Sequence, residues 1–199
     1  MPEVVVGCQL LNEEMLKKSS SGGVFYALAQ YVLQNNGIVF GCTINRNMEV
    51  FHKSIKTLGE ISLLQGSKYL QSNVKLTYRE VKSHLSNDKL VLFVGCPCQI
   101  AGLYAYLGKS DFGNLLTVDL VCHGVGSKKI FDLEIDSLER KYKSKVVSYE
   151  FRNKEKRAHS NHLCKIGFED NRILYIKGLN GLFMSCYLRY AIYRESCYL

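Results

Sequence analysis

The hydrophobic pattern of the chain changes between helical and strand-like spacing along its length. Apolar residues at helical spacing predict helices at 24–33, 77–85, 99–107, 128–142 and 182–193. Continuous or alternating apolar residues predict strands at 38–44, 50–55, 89–94 and 115–121, and a hairpin with strands at 164–168 and 172–176. Because strands and helices alternate in the middle of the chain, we expect an α/β fold. We expect its mostly parallel sheet to be flanked by helices and to be followed, after about residue 146, by a hairpin-containing region. We expect residues 1–199 to form one domain.

Local signals mark the ends of these predicted elements. Serines 19–21 precede the first helix and are typical N-cap residues, and Gly37 is typical of the position just after a helix. Thr77 and Glu80 have the spacing of a capping box. Pro97 has no amide hydrogen to donate, so the strand before it must end at this point.

Composition narrows the class of protein. The chain has 199 residues, of which 47% are hydrophobic and 22% charged, which excludes wholesale disorder. No apolar run approaches the roughly 20 residues that span a bilayer, and the N-terminus has no basic segment before an apolar core. We therefore expect a cytoplasmic protein without membrane insertion. The net charge of +8 suits an anionic cofactor or an acidic redox partner as well as nucleic acid, and no aromatic-and-basic motif favours nucleic acid.

The eight cysteines are spread too widely for a disulfide scaffold in a chain of this size. Cys42, Cys164 and Cys186 lie in apolar or alternating segments, which indicates ordinary packing. Three others, Cys96, Cys98 and Cys122, follow predicted strands, where open α/β sheets usually place their chemistry. The residues alone leave three interpretations open: inert thiols, iron–sulfur ligands, or a zinc site that also uses His123.

A serine-and-glycine loop, residues 19–23, precedes the first predicted helix. Unpaired amide groups and the helix dipole at such a position attract phosphate, and glycines let the phosphate approach the backbone. The same serines are also suited to capping the helix. From the loop alone, capping is the favoured interpretation.

Four motifs occur in a fixed order along the chain. They are residues 20–25 (Ser-Ser-Gly-Gly-Val-Phe), 66–72 (Gly-Ser-Lys-Tyr-Leu-Gln-Ser), 91–103 (around Gly-Cys-Pro-Cys-Gln) and 119–125 (Asp-Leu-Val-Cys-His-Gly-Val). Two shorter pieces follow at 151–154 and 194–198. With these motifs the chain resembles the coenzyme F420 hydrogenase/dehydrogenase beta-subunit family from about residue 4 to its last residue.

This resemblance implies an oxidoreductase that is an iron–sulfur flavoprotein. It would move electrons between a 4Fe-4S cluster, FAD and either a ferredoxin-like or other redox partner protein or a flavin-like substrate. The implied cofactor-binding residues are Ser20, Ser21, Gly22, Gly23, Lys68, Gln71 and Ser72. The implied cluster ligands are Cys98, Cys122 and Cys197, with His123 as a nearby donor, a proton shuttle or a structural residue. No residue is singled out for catalysis.

The chain departs from the family pattern in three places. Members often carry a ferredoxin-like cysteine cluster before the first motif, usually have Thr where this chain has Cys96, and continue beyond the Ser-Cys pair near the end. We therefore expect a C-terminally incomplete chain with three ligands and a labile, substoichiometric cluster. The alternatives are a cofactor-free fragment acting as a binding or accessory protein, and a zinc-binding α/β protein.

Overall fold

The computed structural model describes residues 4–108, 112–155 and 163–197. Its helices are α1 (Glu13–Lys18), α2 (Val24–Gln34), α3 (Ile61–Leu64), α4 (Thr77–Leu85), α5 (Pro97–Leu107), α6 (Lys128–Tyr142) and α7 (Leu182–Leu188). Its strands are β1 (Ile38–Ile44), β2 (Val50–Ile55), β3 (Val91–Gly95), β4 (Leu115–Asp119), β5 (Val146–Glu150), β6 (Leu163–Phe168) and β7 (Ile173–Lys177). Short 3₁₀ turns cover Leu58–Glu60, Gly178–Asn180 and Glu195–Cys197. Tyr198, the last residue of the final motif piece, lies outside the described residues.

The first sheet has the strand order β2-β1-β3-β4. β1, β3 and β4 run parallel, and β2 pairs with β1 in the antiparallel direction. The predicted strands at 89–94 and 115–121 are therefore neighbours in one sheet, and the predicted mostly parallel α/β sheet is confirmed. Because neighbouring parallel strands end at the same edge, the residues after β3 and β4 lie side by side.

Helices cover both faces of this sheet, as the continuous apolar runs predicted. On one face Val39, Leu92 and Val94 pack against apolar residues of α2 and α3. On the other face Phe40 and Phe93 pack against apolar residues of α4 and α5. Alternate residues of each strand thus enter opposite cores, and this burial holds the strand ends in place.

A second, antiparallel sheet follows with the order β5-β6-β7. β6 and β7 form the predicted hairpin. Helices α6 and α7 pack on this sheet, where the rings of Phe131 and Phe183 meet edge to face at 5.3 Å. Glu134 is buried in this core and accepts hydrogen bonds from the Tyr149 hydroxyl at 2.7 Å and from the backbone amide of Phe183. A buried carboxylate with these partners ties α6 to both elements.

Two predicted helix caps and one predicted helix end were wrong, and local backbone geometry explains them. Gly23 is the N-cap of α2, with φ +82°, and no serine side chain caps this helix. Thr77 is the first residue of α4 rather than its cap, and capping boxes form instead at Thr57 with Glu60 and at Cys96 with Gln99. The last helix ends at Leu188 because Tyr190 adopts a left-handed conformation, φ +61°.

The sequence pattern also missed α1, α3 and β5. The first two have six and four residues, too few to show a clear helical period. β5 has no long apolar run and becomes a strand by pairing with β6.

All of the helices are short compared with the thickness of a bilayer. The longest, α6, has 15 residues. Within the ranges 4–108, 112–155 and 163–197, none of the helices is both long and apolar enough to cross a membrane.

Candidate functional site

Three cysteines gather at the edge of the first sheet where β3 and β4 end. Gly95, the last residue of β3, is level with Asp119, the last residue of β4, and the amide of Leu120 donates to the Gly95 carbonyl at 2.9 Å. Cys96 comes next and is the N-cap of α5, whose first residue is Pro97. Proline suits this first helical position because an amide hydrogen there would have no acceptor within the helix. We call Cys96, Cys98 and Cys122 the cysteine edge.

Cys96 lies near the other members of the cysteine edge. Cys122, Cys98 and Cys42 are all close enough to act electrostatically on its thiol. Cys98 and Cys122 are exposed, whereas Cys96 is half-buried. Burial, together with these neighbouring cysteines, raises the pKa of Cys96 to about 12. Several thiols thus share one small region.

Cys197 reaches the same loop from the C-terminal end of the described chain. A Cβ at Gly124 would lie 3.2 Å from the Cβ of Cys197 and 2.7 Å from the ring of Tyr193. Gly124 has φ +121°, a conformation that other residues rarely adopt. Its amide donates to the Cys122 sulfur at 3.4 Å. The Cys-His-Gly turn therefore brings Cys122 and Cys197 toward one another.

The cysteine edge supplies thiols, the donor type that iron–sulfur clusters use. Among the described residues, no three His, Cys, Asp or Glu side chains are arranged to hold a metal ion, which applies to the zinc set Cys96, Cys98, Cys122 and His123 and to Cys98, Cys122 and Cys197 alike. Thiolates are the ligands of iron–sulfur clusters, whose cationic core offsets the repulsion between adjacent thiolates. The donor set at this edge fits such a group. His123 is exposed.

A buried network supports the cysteine edge from behind. The Gln99 side chain accepts from the Cys96 amide at 3.0 Å and donates to the Ser72 carbonyl at 3.3 Å. The Ser72 hydroxyl lies 2.7 Å from Nδ1 of His52, whose Nε2 lies 3.2 Å from the Val94 carbonyl. Burial lowers the pKa of His52, which keeps the ring neutral. Ser72, a predicted cofactor residue, is therefore occupied within the protein.

Lys68 has a similar internal role. Its ammonium donates to the carbonyls of Cys42, Leu64 and Gln65 at 2.9, 3.1 and 2.7 Å. A lysine ammonium has three hydrogens, so these carbonyls use all of its donors. Burial lowers the pKa of Lys68 to about 8. The side chain ties β1 to the loop after α3, and its predicted contact with a cofactor remains a prediction.

The Ser-Gly loop, residues 19–23, contacts the second motif. The Ser20 hydroxyl accepts from the amide and the hydroxyl of Ser67 at 2.8 and 2.9 Å. Lys154 donates to the Ser21 carbonyl at 3.0 Å from the opposite side. Three of the sequence motifs thus meet at this loop.

The N-terminal segment, residues 8–10, packs over the glycines of the Ser-Gly loop. The Leu10 amide donates to the Gly22 carbonyl at 2.8 Å. A Cβ at Gly22 would lie 2.6 Å from the Cys8 carbonyl oxygen, and one at Gly23 would lie 2.4 Å from a methyl carbon of Leu10. A side chain at either glycine would therefore clash with residues 8–10. The predicted contacts of Ser20, Ser21, Gly22 and Gly23 with a flavin stay predictions.

A basic groove of about 570 Å³ begins beside the Cys-His-Gly turn. Its lining includes the basic residues Lys75, Lys128 and Arg194, one acidic residue, Glu49, and also Phe51 and Gln71. The Lys75 ammonium lies 4.3 Å from the centre of the Phe51 ring, and Arg194 donates to the Gln71 side chain at 3.4 Å. Gln71 is the member of the predicted cofactor set that lines this groove. A groove of this volume, with positive charge and an aromatic ring in its lining, suits an anionic, planar ligand.

The sequence did not single out four residues that support this region: Gln99, Lys154, His52 and Lys75. Gln99 and Lys154 belong to quoted motifs, and their polar side chains at motif positions were the available signal. His52 and Lys75 carry no such signal, because their importance comes from the packing of β2 against the segment at 70–75.

The chain matches one protein family in sequence and a solved structure in fold. A family model that describes the C terminus of the coenzyme F420 hydrogenase/dehydrogenase beta subunit matches residues 88–199. A solved structure of the F420-reducing [NiFe] hydrogenase complex from Methanosarcina barkeri, derivatised with xenon, contains a chain of similar fold, with a TM-score of 0.59 and 17% sequence identity. The match covers 95% of this chain and 62% of that one. No curated protein matches the chain in sequence.

Proposed function

The chain belongs to the family defined by the C-terminal part of the coenzyme F420 hydrogenase/dehydrogenase beta subunit, and from this membership we propose that it is an iron–sulfur flavoprotein module for electron transfer. The observation that carries the proposal is the position of Cys98 and Cys122 just after the ends of two neighbouring parallel strands, with Cys197 packed against Gly124 of the same turn. The family relationship itself supports a role associated with an oxidoreductase.

Cys98, Cys122 and Cys197 are the proposed ligands of a 4Fe-4S cluster. When bound, such a cluster accepts and donates single electrons. The protein supplies the thiolates and the Gly124 amide, which donates to the Cys122 sulfur. Amide donors to ligand sulfurs tune the reduction potential of a cluster. Exposure of Cys98 and Cys122 leaves the edge open for assembly of the cluster.

FAD is proposed to bind in the basic groove. Lys75 and Arg194 would neutralise its phosphates, and Phe51 offers an apolar ring face. Residues 125–127 line the groove and directly follow the Cys-His-Gly turn, so a ligand in the groove would sit next to the cysteine edge. Electron transfer between a flavin and a cluster requires that the two groups lie close together.

The partner in electron transfer is proposed to be a ferredoxin-like or other acidic redox protein, or a flavin-like substrate. The net charge of +8 favours association with an acidic partner. The chain spans about 62% of the length of the structurally similar chain, and the assignment of partners rests on the family and on this charge.

Anaerobic reconstitution with iron, sulfide and FAD tests the proposal. We expect broad absorption near 400 nm from the cluster together with flavin bands. Lys75→Ala should weaken FAD binding about tenfold, the worth of one charge-assisted contact, in a fluorescence titration. Lys17→Ala, which changes an exposed lysine on α1, is the matched control. A colourless protein that takes up neither iron nor FAD would favour the accessory-protein alternative.

A further inference from the structure

The Cys-His-Gly turn, residues 122–124, is tied to helix α7 by a buried tyrosine. Tyr187 is only 5% exposed, and its hydroxyl donates to the Gly124 carbonyl at 3.1 Å. The Gly124 amide, in the neighbouring peptide group, donates to the Cys122 sulfur at 3.4 Å. Tyr187 therefore holds the residue that supplies the amide donor to Cys122.

Aromatic packing holds the Tyr187 ring in place. Its ring centre lies 4.7 Å from that of Tyr69, 4.7 Å from that of Tyr193 and 6.1 Å from that of Phe183. A ring packed on several sides leaves its hydroxyl little freedom to move. Burial raises the pKa of Tyr187, so the hydroxyl keeps the proton that it donates.

Backbone hydrogen bonds hold the chain that follows the turn. Residues 125–127 lie between the segments at 69–70 and 192–194 and share backbone hydrogen bonds of 2.9 to 3.1 Å with both. The same three residues line the basic groove. The two residues before Gly124 are exposed. The hydroxyl of Tyr187 thus bonds to the chain at the point where this fixed segment meets the exposed part of the turn.

We propose that Tyr187 is a positioning residue for Cys122, because its hydroxyl fixes Gly124 where the Gly124 amide can donate to the Cys122 sulfur. This inference rests on the proposed function and deepens it, since Cys122 is a residue of the proposed site. An amide donor stabilises a thiolate, and the thiolate is the form of cysteine that reacts with alkylating reagents. Loss of the Tyr187 hydroxyl should therefore lower the reactivity of Cys122.

Tyr187→Phe tests the inference, because it removes the hydroxyl and keeps the packed ring. Tyr149→Phe is the matched control: Tyr149 is also buried, and its hydroxyl donates to Glu134 at 2.7 Å in the core of the second sheet. Each variant loses a buried hydrogen bond, so a general loss of stability would act in both. Far-UV circular dichroism checks that the fold is retained.

The rate of alkylation of each exposed cysteine by iodoacetamide is measured by mass spectrometry, at one fixed pH, in the chain without cofactors. In Tyr187→Phe we expect Cys122 to react about fivefold more slowly than in the wild type, which corresponds to the loss of one hydrogen bond. Cys8 and Cys98 should react as in the wild type, and Tyr149→Phe should match the wild type at all three cysteines. An unchanged or faster rate at Cys122 in Tyr187→Phe, or equal slowing in Tyr149→Phe, would overturn the inference.

Because this measurement uses the chain without iron or flavin, its outcome is separate from that of the reconstitution. If the wild type takes up iron and FAD while Cys122 in Tyr187→Phe reacts at the wild-type rate, the role of Tyr187 fails alone. If Cys122 is slowed in Tyr187→Phe while the wild type takes up neither iron nor FAD, the role of Tyr187 is supported and the proposed function fails.

Discussion

The cysteine edge and the Ser-Gly loop make an instructive comparison. Both are turns that the sequence marked as cofactor sites, and both lie next to the first sheet. At the Ser-Gly loop, however, the protein provides its own partners: Ser67 for Ser20, Lys154 for Ser21, and residues 8–10 over the glycines. At the cysteine edge, Cys96 is tied to Gln99 in the capping box of α5, whereas Cys98 and Cys122 are exposed.

The difference teaches which feature separates a structural turn from a binding site. Serines and glycines can serve either purpose, and at residues 19–23 their polar atoms and close approaches are used within the chain. Cys98 and Cys122, by contrast, are left exposed where two strands end. Reactive side chains that the protein leaves exposed, rather than residue type alone, indicate the binding site.

The largest change in stability is expected for a substitution in the Ser-Gly loop, and it tests whether the loop packs against residues 8–10. Gly23→Val places a β-branched residue at φ +82° and drives its Cβ into Leu10. We expect a loss of about 2–6 kcal/mol in the free energy of unfolding, from backbone strain together with overpacking. Urea denaturation measures this loss.

Gly66→Val is the matched control, because Gly66 has the same φ of +82° with nothing within 4 Å of its Cβ position. It should lose about 1–3 kcal/mol from strain alone. Equal losses in the two variants, combined with weaker FAD binding in Gly23→Val, would show that the loop is an open cofactor site after all.

A smaller effect concerns the buried ammonium of Lys68, whose pKa is lowered to about 8 from its ordinary 10.5. Between these pH values Lys68 holds a proton in the unfolded chain that it has released in the folded chain, so the contribution of Lys68 to stability rises with pH. The slope is at most about 1.4 kcal/mol per pH unit, and Lys68→Met should abolish it.

Urea unfolding between pH 7 and 10.5 measures this slope, with Lys17→Met, a change at an exposed position, as the control. The wild type and Lys17→Met should gain stability over Lys68→Met as the pH rises above about 8. Parallel profiles in all three proteins would mean that Lys68 titrates normally and is free to meet a ligand.

The sequence predicted most of the fold because strands buried on both faces produce long apolar runs. β1, β2, α4 and α6 have the predicted limits. Element ends were less predictable where a left-handed residue, such as Tyr190, stops a helix whose hydrophobic pattern continues.

The candidate site was predictable in part. Cys98 and Cys122 could be placed at one sheet edge because both follow parallel strands. The central position of Cys96, the internal ties of Lys68 and Ser72, and the segment over Gly22 depend on contacts between residues distant in sequence. No local pattern encodes such contacts.

The most direct test of the central claim is cysteine alkylation with iodoacetamide, located by mass spectrometry before and after anaerobic loading with iron and sulfide. In the metal-free chain we expect Cys8, Cys98 and Cys122 to react, since they are exposed. After loading, Cys98 and Cys122 should be protected together, whereas Cys8 should react as before. Undiminished alkylation of Cys98 and Cys122 in the loaded sample would contradict a cluster at the cysteine edge.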